Sequence, residues 1–299
     1  LPVPGAGATA ARHRRLYDIA RADVAVARLA EAHADALAIL GEAGRAGRPG
    51  CAYGVWAADD PSTTLELRAA GGGWRLDGAK TFCTGAGIVS RALVTVRTSR
   101  GVMLADVDLQ GSSVEFDTSA WIAAAFSETR TARATFRNHL LDPDDLVGAP
   151  GWYLDRVGFW HGACGPAACW AGGAAGLVDW MLETNRGRAA EPHRDAHVGA
   201  LAALRWRMAG VLDVAGREID GEHEERKGAH ERALMLRHDV ERAATEVIER
   251  IGRAMGPRPL AFDAPVARRI AEVQLYVRQS HAERDLAELG RLLLEPPAT

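Results

Sequence analysis

The sequence predicts an α+β chain of several packed units, ordered helices, antiparallel sheet, helices. Residues Thr9 to about Leu40 are mostly Ala, Arg, Leu, Asp and Glu, with apolar positions at helical spacing at Ala25, Leu29, Ala32, Ala36 and Leu40. From Cys51 to about Val147 the pattern shifts to short alternating runs punctuated by turn-like glycines. After Pro150-Gly151 it becomes helical and stays so to Leu294. Alternating strand and helix units are absent, which argues against a doubly wound parallel sheet.

Two helices are expected in the first block. They end in the run Gly41 to Gly50, where Gly44, Gly47 and Pro49 break helical structure. In the middle block Thr64 to Arg68, Trp74 to Leu76, Ala92 to Arg97, Val102 to Val107 and Arg133 to Phe136 read as strands. Gly71-Gly72-Gly73, Asp77-Gly78 and Gly111-Ser112 read as turns between them. In the last block Leu236, Val240, Ala243, Val247, Ile251 and Ala254 keep one apolar stripe beside Glu and Arg faces, as long packed helices require. Breaks fall at Gly187 to Pro192 and Gly256 to Pro259. Domain limits follow at residues 1–50, 51–149 and 150–299.

Composition narrows the function. A chain of 299 residues, 47% hydrophobic and 25% charged, has the proportions of a globular protein with a large core. Lys+Arg 36 against Asp+Glu 39 leaves a net charge of −3, which offers no basic field to a polyanion, so nucleic acid is not expected and a small molecule is. Cys51, Cys83, Cys164 and Cys169 are too scattered for a disulfide scaffold or a zinc site and are expected reduced and buried. No apolar run is long enough for a membrane span, and Leu1 opens a Pro/Gly segment, so a cytoplasmic chain is expected.

Several features look chemical and have a plainer reading. Gly85-Ala86-Gly87-Ile88-Val89-Ser90 nearly spells a phosphate-cradling glycine motif, but a strand-like run follows where the helix should begin. His193 and His197 lie four apart with Pro192 beside them and no Glu between, so a surface turn is expected and no metal. Glu222, His223, Glu224, Glu225, Arg226 and Lys227 read as a solvated helix face. Trp152, Trp160, Trp170 and Trp180 read as core aromatics. Gly162, Gly165, Gly172, Gly173 and Gly176 leave two readings open, close helix crossing or close approach of a ligand.

The stretch Trp74-Arg75-Leu76-Asp77-Gly78-Ala79-Lys80-Thr81-Phe82-Cys83-Thr84-Gly85 resembles the hairpin signature of the acyl-CoA dehydrogenase superfamily. Ala125 to Thr129 with Ala134-Thr135-Phe136 resembles the family's later strand pair, and Leu146 to Gly151 the loop into its C-terminal bundle. The resemblance covers about Cys51 to the end, with a shortened N-terminal domain. It implies a short helical N-terminal segment, an antiparallel β-barrel middle domain and a C-terminal four-helix bundle, with FAD as cofactor and a homodimer or homotetramer as the assembly.

Carried onto this chain, the resemblance puts the backbone of Tyr53-Gly54-Val55-Trp56 against the flavin pyrimidine and Ser62 at the FAD phosphates. It puts Phe82 beside the isoalloxazine and the Thr84 hydroxyl near N5, where such donors stabilise the charge a reduced flavin builds. The family's Thr-Glu-Pro reads Trp56-Ala57-Ala58, and the glycine before the phosphate serine reads Pro61. Its segments that reach a neighbouring subunit's FAD are not recognisable around Arg194 to Gly199 or Arg253 to Pro257.

The catalytic Glu of many members reads Gln279, and an amide cannot remove an α-proton. Asp155, before Arg156 at the start of the first bundle helix, is the substitute candidate. The leading expectation is FAD-dependent α,β-dehydrogenation of an acyl thioester with Asp155 as base. The alternatives are a flavin-dependent monooxygenase of the same fold, which needs no such base, and a non-catalytic member acting by binding. For the monooxygenase, His281 on the terminal helix is a candidate proton donor, against a surface ion network of His281, Arg278 and Asp285.

Overall fold

A computed structural model of the chain describes residues 1–221 and 225–295. Positions 222–224 of the charged run therefore lie outside the described residues. Two helices, α1 (Thr9–Ala22) and α2 (Val24–Glu42), precede eight strands. These are β1 (Tyr53–Trp56), β2 (Leu65–Ala70), β3 (Gly73–Cys83), β4 (Arg91–Thr98), β5 (Gly101–Asp108), β6 (Val114–Asp117), β7 (Ala132–Leu141) and β8 (Leu146–Val147). Helices follow as α3 (Trp152–Asp155), α4 (Val157–Gly162), α5 (Cys164–Asn185), α6 (Pro192–Ile219) and α7 (Arg226–Met255), then α8 (Arg258–Phe262), α9 (Ala264–Tyr276) and α10 (Glu283–Leu294). The chain divides into two compact units, a sheet unit of Leu29–Phe159 and a helical unit of Leu1–Arg28 with Trp160–Thr299.

The sheet unit corrects the expected antiparallel barrel. Its strands run β6-β7-β3-β2-β4-β5-β8, with β1 also on β4, and the two outer strands do not pair, so the sheet is open. It is also mixed, because β1 and β2 both lie parallel to β4, through Tyr53–Trp56 against Arg91–Val94 and through Glu66 against Arg97. The outer strands explain the openness. β6 has four residues and β8 two, too short a seam to close a barrel whose strands must tilt and stagger into register. Alternation marks a strand but not its direction, and the antiparallel cue comes only from tight hairpins such as β2–β3 and β4–β5.

Asp77-Gly78 is not a turn. Both residues lie inside β3, where the register against β7 shifts between Leu76 and Gly78. Gly78 has φ +123°, and a Cβ there would stand 2.1 Å from the Thr64 carbonyl oxygen, so the position takes a bulge that only glycine fits.

Both faces of the sheet are buried. Trp56, Leu67, Val94, Val107 and Phe136 fill one side, and Tyr53, Leu93, Leu104 and Val147 meet Ala36, Ile39 and Leu40 of α2 on the other. Successive β4 residues therefore point into opposite cores, which is why its apolar run Ala92-Leu93-Val94 shows no polar alternation.

The helical unit is a C-terminal helical region joined by α1 rather than a four-helix bundle on its own. Small residues on α5 let α1 approach, and a Cβ on Gly172 would sit 2.2 Å from the Tyr17 carbonyl oxygen. Close helix crossing is thus what Gly172 serves. Arg269 of α9 donates to the carbonyls of Arg21 (2.6 Å) and Ala22 (2.7 Å), satisfying the open C-terminal end of α1. No helix among the described residues is long and apolar enough to cross a membrane.

Candidate functional site

The end of β3 carries the most unusual backbone in the sheet unit. Between Lys80 and Cys83 the register against β7 slips again, and Phe82 adopts φ +57°, a left-handed conformation that costs a non-glycine residue about 1–2 kcal/mol. The slip turns the Phe82 ring outward, leaving it 54% exposed while Lys80 and Cys83 on either side are buried. Burial pushes the Cys83 thiol up to about 12, so it is inert.

Thr84 follows, half-buried. Trp56 Nε1 donates to its carbonyl (3.0 Å), and its hydroxyl meets that of Thr131 at 3.0 Å. Trp56 itself is 1% exposed and packs edge-on against Phe116, so its side chain supports the site from below. β1 pairs with β4 alone among the described strands, which leaves its other edge, including Val55, outside the ladder. The Tyr53 side chain is turned inward. Its hydroxyl accepts from the Arg48 N–H (2.9 Å) and donates to Asp106 (3.4 Å) in a buried polar group centred on Arg91. Trp56, Phe82 and Thr84 are therefore brought together, and Tyr53 and Val55 share strand β1 with Trp56.

Ser62 stands differently. Its N–H donates to Asp60 Oδ1 (2.8 Å), and the Thr81 hydroxyl donates to Asp60 Oδ2 (2.8 Å). The N–H and hydroxyl of Ser62, with Thr81, hold the Asp60 carboxyl below its ordinary range. The donors expected at a phosphate already serve a carboxylate of the chain itself. Beside this loop a cavity of about 120 Å³ is lined by Asp60, Thr63, Leu65, Lys80, Thr95 and Arg97. Lys80 Nζ donates to Thr95 Oγ1 (2.7 Å), and burial lowers its ammonium pKa. A larger cavity of about 380 Å³ lies on the helical unit between α6 and α7, beside the exposed Trp206, and gathers none of the expected residues.

Asp155 ends the short helix α3 and is exposed. In the sheet order β5, β4 and β2 lie between β8, which precedes it, and β3. The terminal helix carrying Gln279 and His281 is broken. After α9 a 3-10 turn runs Val277–Gln279, Ala282 sits at φ +48°, and α10 starts at Glu283, so helical spacing does not carry across. His281 Nδ1 and N–H meet Asp285 (3.2 and 2.9 Å), while Arg278 pairs with Glu241, so the expected three-member network holds as the His281–Asp285 pair alone. Among the described residues the pairs that sequence reading missed are Thr129–Thr131 behind Thr84 and Asp60 in front of Ser62. Thr129 ends a 3-10 turn and Thr131 precedes β7, so strand alternation carried no signal for them.

With Phe82, Trp56 and Thr84 so placed, the class of the fold can be stated from known structures. No protein-family model and no curated protein sequence matches the chain. Its fold is that of a group of solved flavin-enzyme structures, at sequence identities low enough that the likeness shows the fold alone. The FMN-bound crystal structure of TdsC from Paenibacillus sp. A11-2 superposes with a TM-score of 0.82 at 17% identity, covering 95% of this chain and 83% of TdsC. TdsC is a dibenzothiophene monooxygenase. Methanesulfinate monooxygenase MsuC from Pseudomonas fluorescens superposes at 0.83 and 16% identity, covering 97% and 84%. Nitrososynthase from Micromonospora carbonacea var. africana superposes at 0.82 and 17% identity, covering 96% and 82%.

Proposed function

We propose that this chain is a flavin-dependent monooxygenase acting on a small molecule, with the isoalloxazine ring held against the end of β3. The observation that carries the reading is the outward Phe82 ring on its left-handed backbone next to the supported Thr84. In this reading Phe82 packs on the ring, the unladdered edge of β1 at Val55 meets the pyrimidine side, and Thr84 meets the N5 side. A reduced flavin bound there supplies activation of molecular oxygen. Trp56 holds the Thr84 carbonyl through its Nε1 and packs edge-on against Phe116. The residues fit the ring system. They do not fit a phosphate at Ser62, so the phosphate arm, whether of FMN or FAD, is given no partner in the Asp59–Ser62 loop.

The monooxygenase is favoured over acyl-thioester dehydrogenation because Gln279, at the position of the family's usual base, is an amide and cannot remove a proton. The solved monooxygenases of this fold support the same choice. No proton transfer is assigned to Asp155. The test supplies reduced FMN from a separate flavin reductase and follows oxygen uptake with the purified protein. Uptake and flavin reoxidation altered by the protein are expected, with no anaerobic bleaching by acyl-CoA. Bleaching by acyl-CoA that disappears in Asp155→Asn would overturn the reading.

A further inference from the structure

Helix α6 keeps one face open to solvent. Trp206 is 82% exposed and Val214 47%, about one turn to either side of Gly210, and Arg207, Asp213 and Arg217 are exposed on the same face. The groove of about 380 Å³ between α6 and α7 runs beside it, with Met235 half-exposed on its far wall. An apolar strip rimmed by charge is the composition of a contact surface.

No packing among the described residues requires Gly210. A Cβ there would meet nothing within 4 Å, whereas one on Gly216 of the same helix would stand 2.5 Å from the Ala10 Cα. Gly216 thus lets α1 approach. Gly210, in the interior of a 28-residue helix, costs about 1 kcal/mol relative to alanine without any such contact in the chain. A glycine at an open helix surface leaves room for a second backbone to come close.

The face is its own complement about Gly210. Trp206 stands four residues before it and Val214 four after; Arg207 stands three before it and Asp213 three after. A two-fold contact presents the same patch from both subunits, so that residue i meets j and j meets i. With a second α6 antiparallel across Gly210, each Trp206 comes level with the partner's Val214, and each Arg207 with the partner's Asp213. A parallel copy in register would instead set Arg207 level with Arg207 and Asp213 with Asp213, where like charges repel. An unrelated partner has no need of this relation.

We propose that the Gly210 face of α6 is a two-fold contact between copies of this chain, with the two α6 helices antiparallel and Gly210 at the axis. Arg207 already pairs with Asp239 and Asp213 with Arg217 within the chain, so the charges between copies set orientation, and covering Trp206 supplies most of the affinity. The inference stands apart from the flavin reading, because α6 carries none of that reading's residues.

The experiment is sedimentation equilibrium of the wild-type protein and Trp206→Glu, with oxidative cross-linking of Gly210→Cys and Ala203→Cys and thermal unfolding of each variant. The wild type is expected to sediment as a dimer or an even multiple of it at tens of micromolar, and Trp206→Glu to raise the dissociation constant about a hundredfold. Gly210→Cys is expected to give a covalent dimer, since Cα atoms at a close two-fold helix crossing come within disulfide reach. Ala203→Cys is not, because its two copies would lie about 21 Å apart along antiparallel helices. A monomeric wild type would overturn the inference and leave the face to a different partner. Association that Trp206→Glu leaves unchanged, or Ala203→Cys linking as readily as Gly210→Cys, would overturn it as well. Should Trp206→Glu fail to fold, the two cysteine variants decide alone.

Discussion

The two ends of the candidate site treat the same kind of chemistry in opposite ways. At the end of β3, backbone strain turns Phe82 outward, and Trp56 and Thr131 hold Thr84 from behind. At the Asp59–Ser62 loop the donors are turned inward onto Asp60, and Asp59 pairs with Arg97. One region spends stability to present groups to a partner, and the other satisfies its own groups first. Some twenty residues apart in the sequence, one segment leaves an aromatic ring exposed while the other satisfies its polar groups internally.

The largest effect that can break this comparison comes from beneath Thr84. Trp56→Ala removes a fully buried indole and the hydrogen bond to the Thr84 carbonyl, and is expected to cost about 3–5 kcal/mol with flavin binding lost. Denaturant unfolding and flavin titration check this. Phe82→Gly separates presentation from stability. Flavin affinity is expected to fall about tenfold as the stacking face is lost. Stability should not fall, because glycine accepts φ +57° without strain. A loss of stability in this variant would mean that Phe82 is a packing residue.

Smaller effects are expected at the loop. Asp60→Asn removes one half-buried negative charge from the loop where a phosphate was expected, and is expected to raise FMN affinity relative to riboflavin by about fivefold at most. Ser62→Ala is expected to leave the FMN-to-riboflavin ratio within about twofold, since its hydroxyl serves Asp60. A large loss of FMN affinity in Ser62→Ala would erase the contrast between the two ends. The smallest effect is that of pH. The folded Asp60 carboxyl sits below its usual value of 3.8, so its favourable contacts are fully present above that value. They are lost as pH falls through the lowered folded value. The Asp60 carboxylate and its contacts are therefore expected to be unchanged between pH 5 and pH 8, which an NMR titration of the Asp60 carboxyl can check.

Much of this was legible in the sequence, and the gaps have physical causes. The breaks at Gly187 to Pro192 and Gly256 to Pro259 fall where α5 and α7 end, because glycine and proline act locally. β4 and β5 were legible as apolar runs, and the string Trp74 to Gly85 located Phe82 and Thr84. Strand direction was not legible, since β1 and β2 meet β4 across long connections that carry no turn signal. Asp77-Gly78 has the composition of a turn and the structure of a bulge, because the Thr64 carbonyl that selects glycine is distant in sequence. The Thr84–Thr131 contact spans 47 residues, and no spacing rule reaches that far. Asp60, by contrast, lies two residues from Ser62, and its competition for the serine's donors could have been read from the sequence as an Asx turn.

The central claim is that the end of β3 holds a flavin ring while the Asp59–Ser62 loop gives its phosphate arm no hold. The most direct measurement is a fluorescence titration of the wild-type protein with riboflavin and FMN. The account predicts saturable quenching of both flavins, with dissociation constants within about threefold of each other, and weakened binding of both in Phe82→Gly. Absence of saturable binding for either flavin, or binding that Phe82→Gly leaves unchanged, would contradict it.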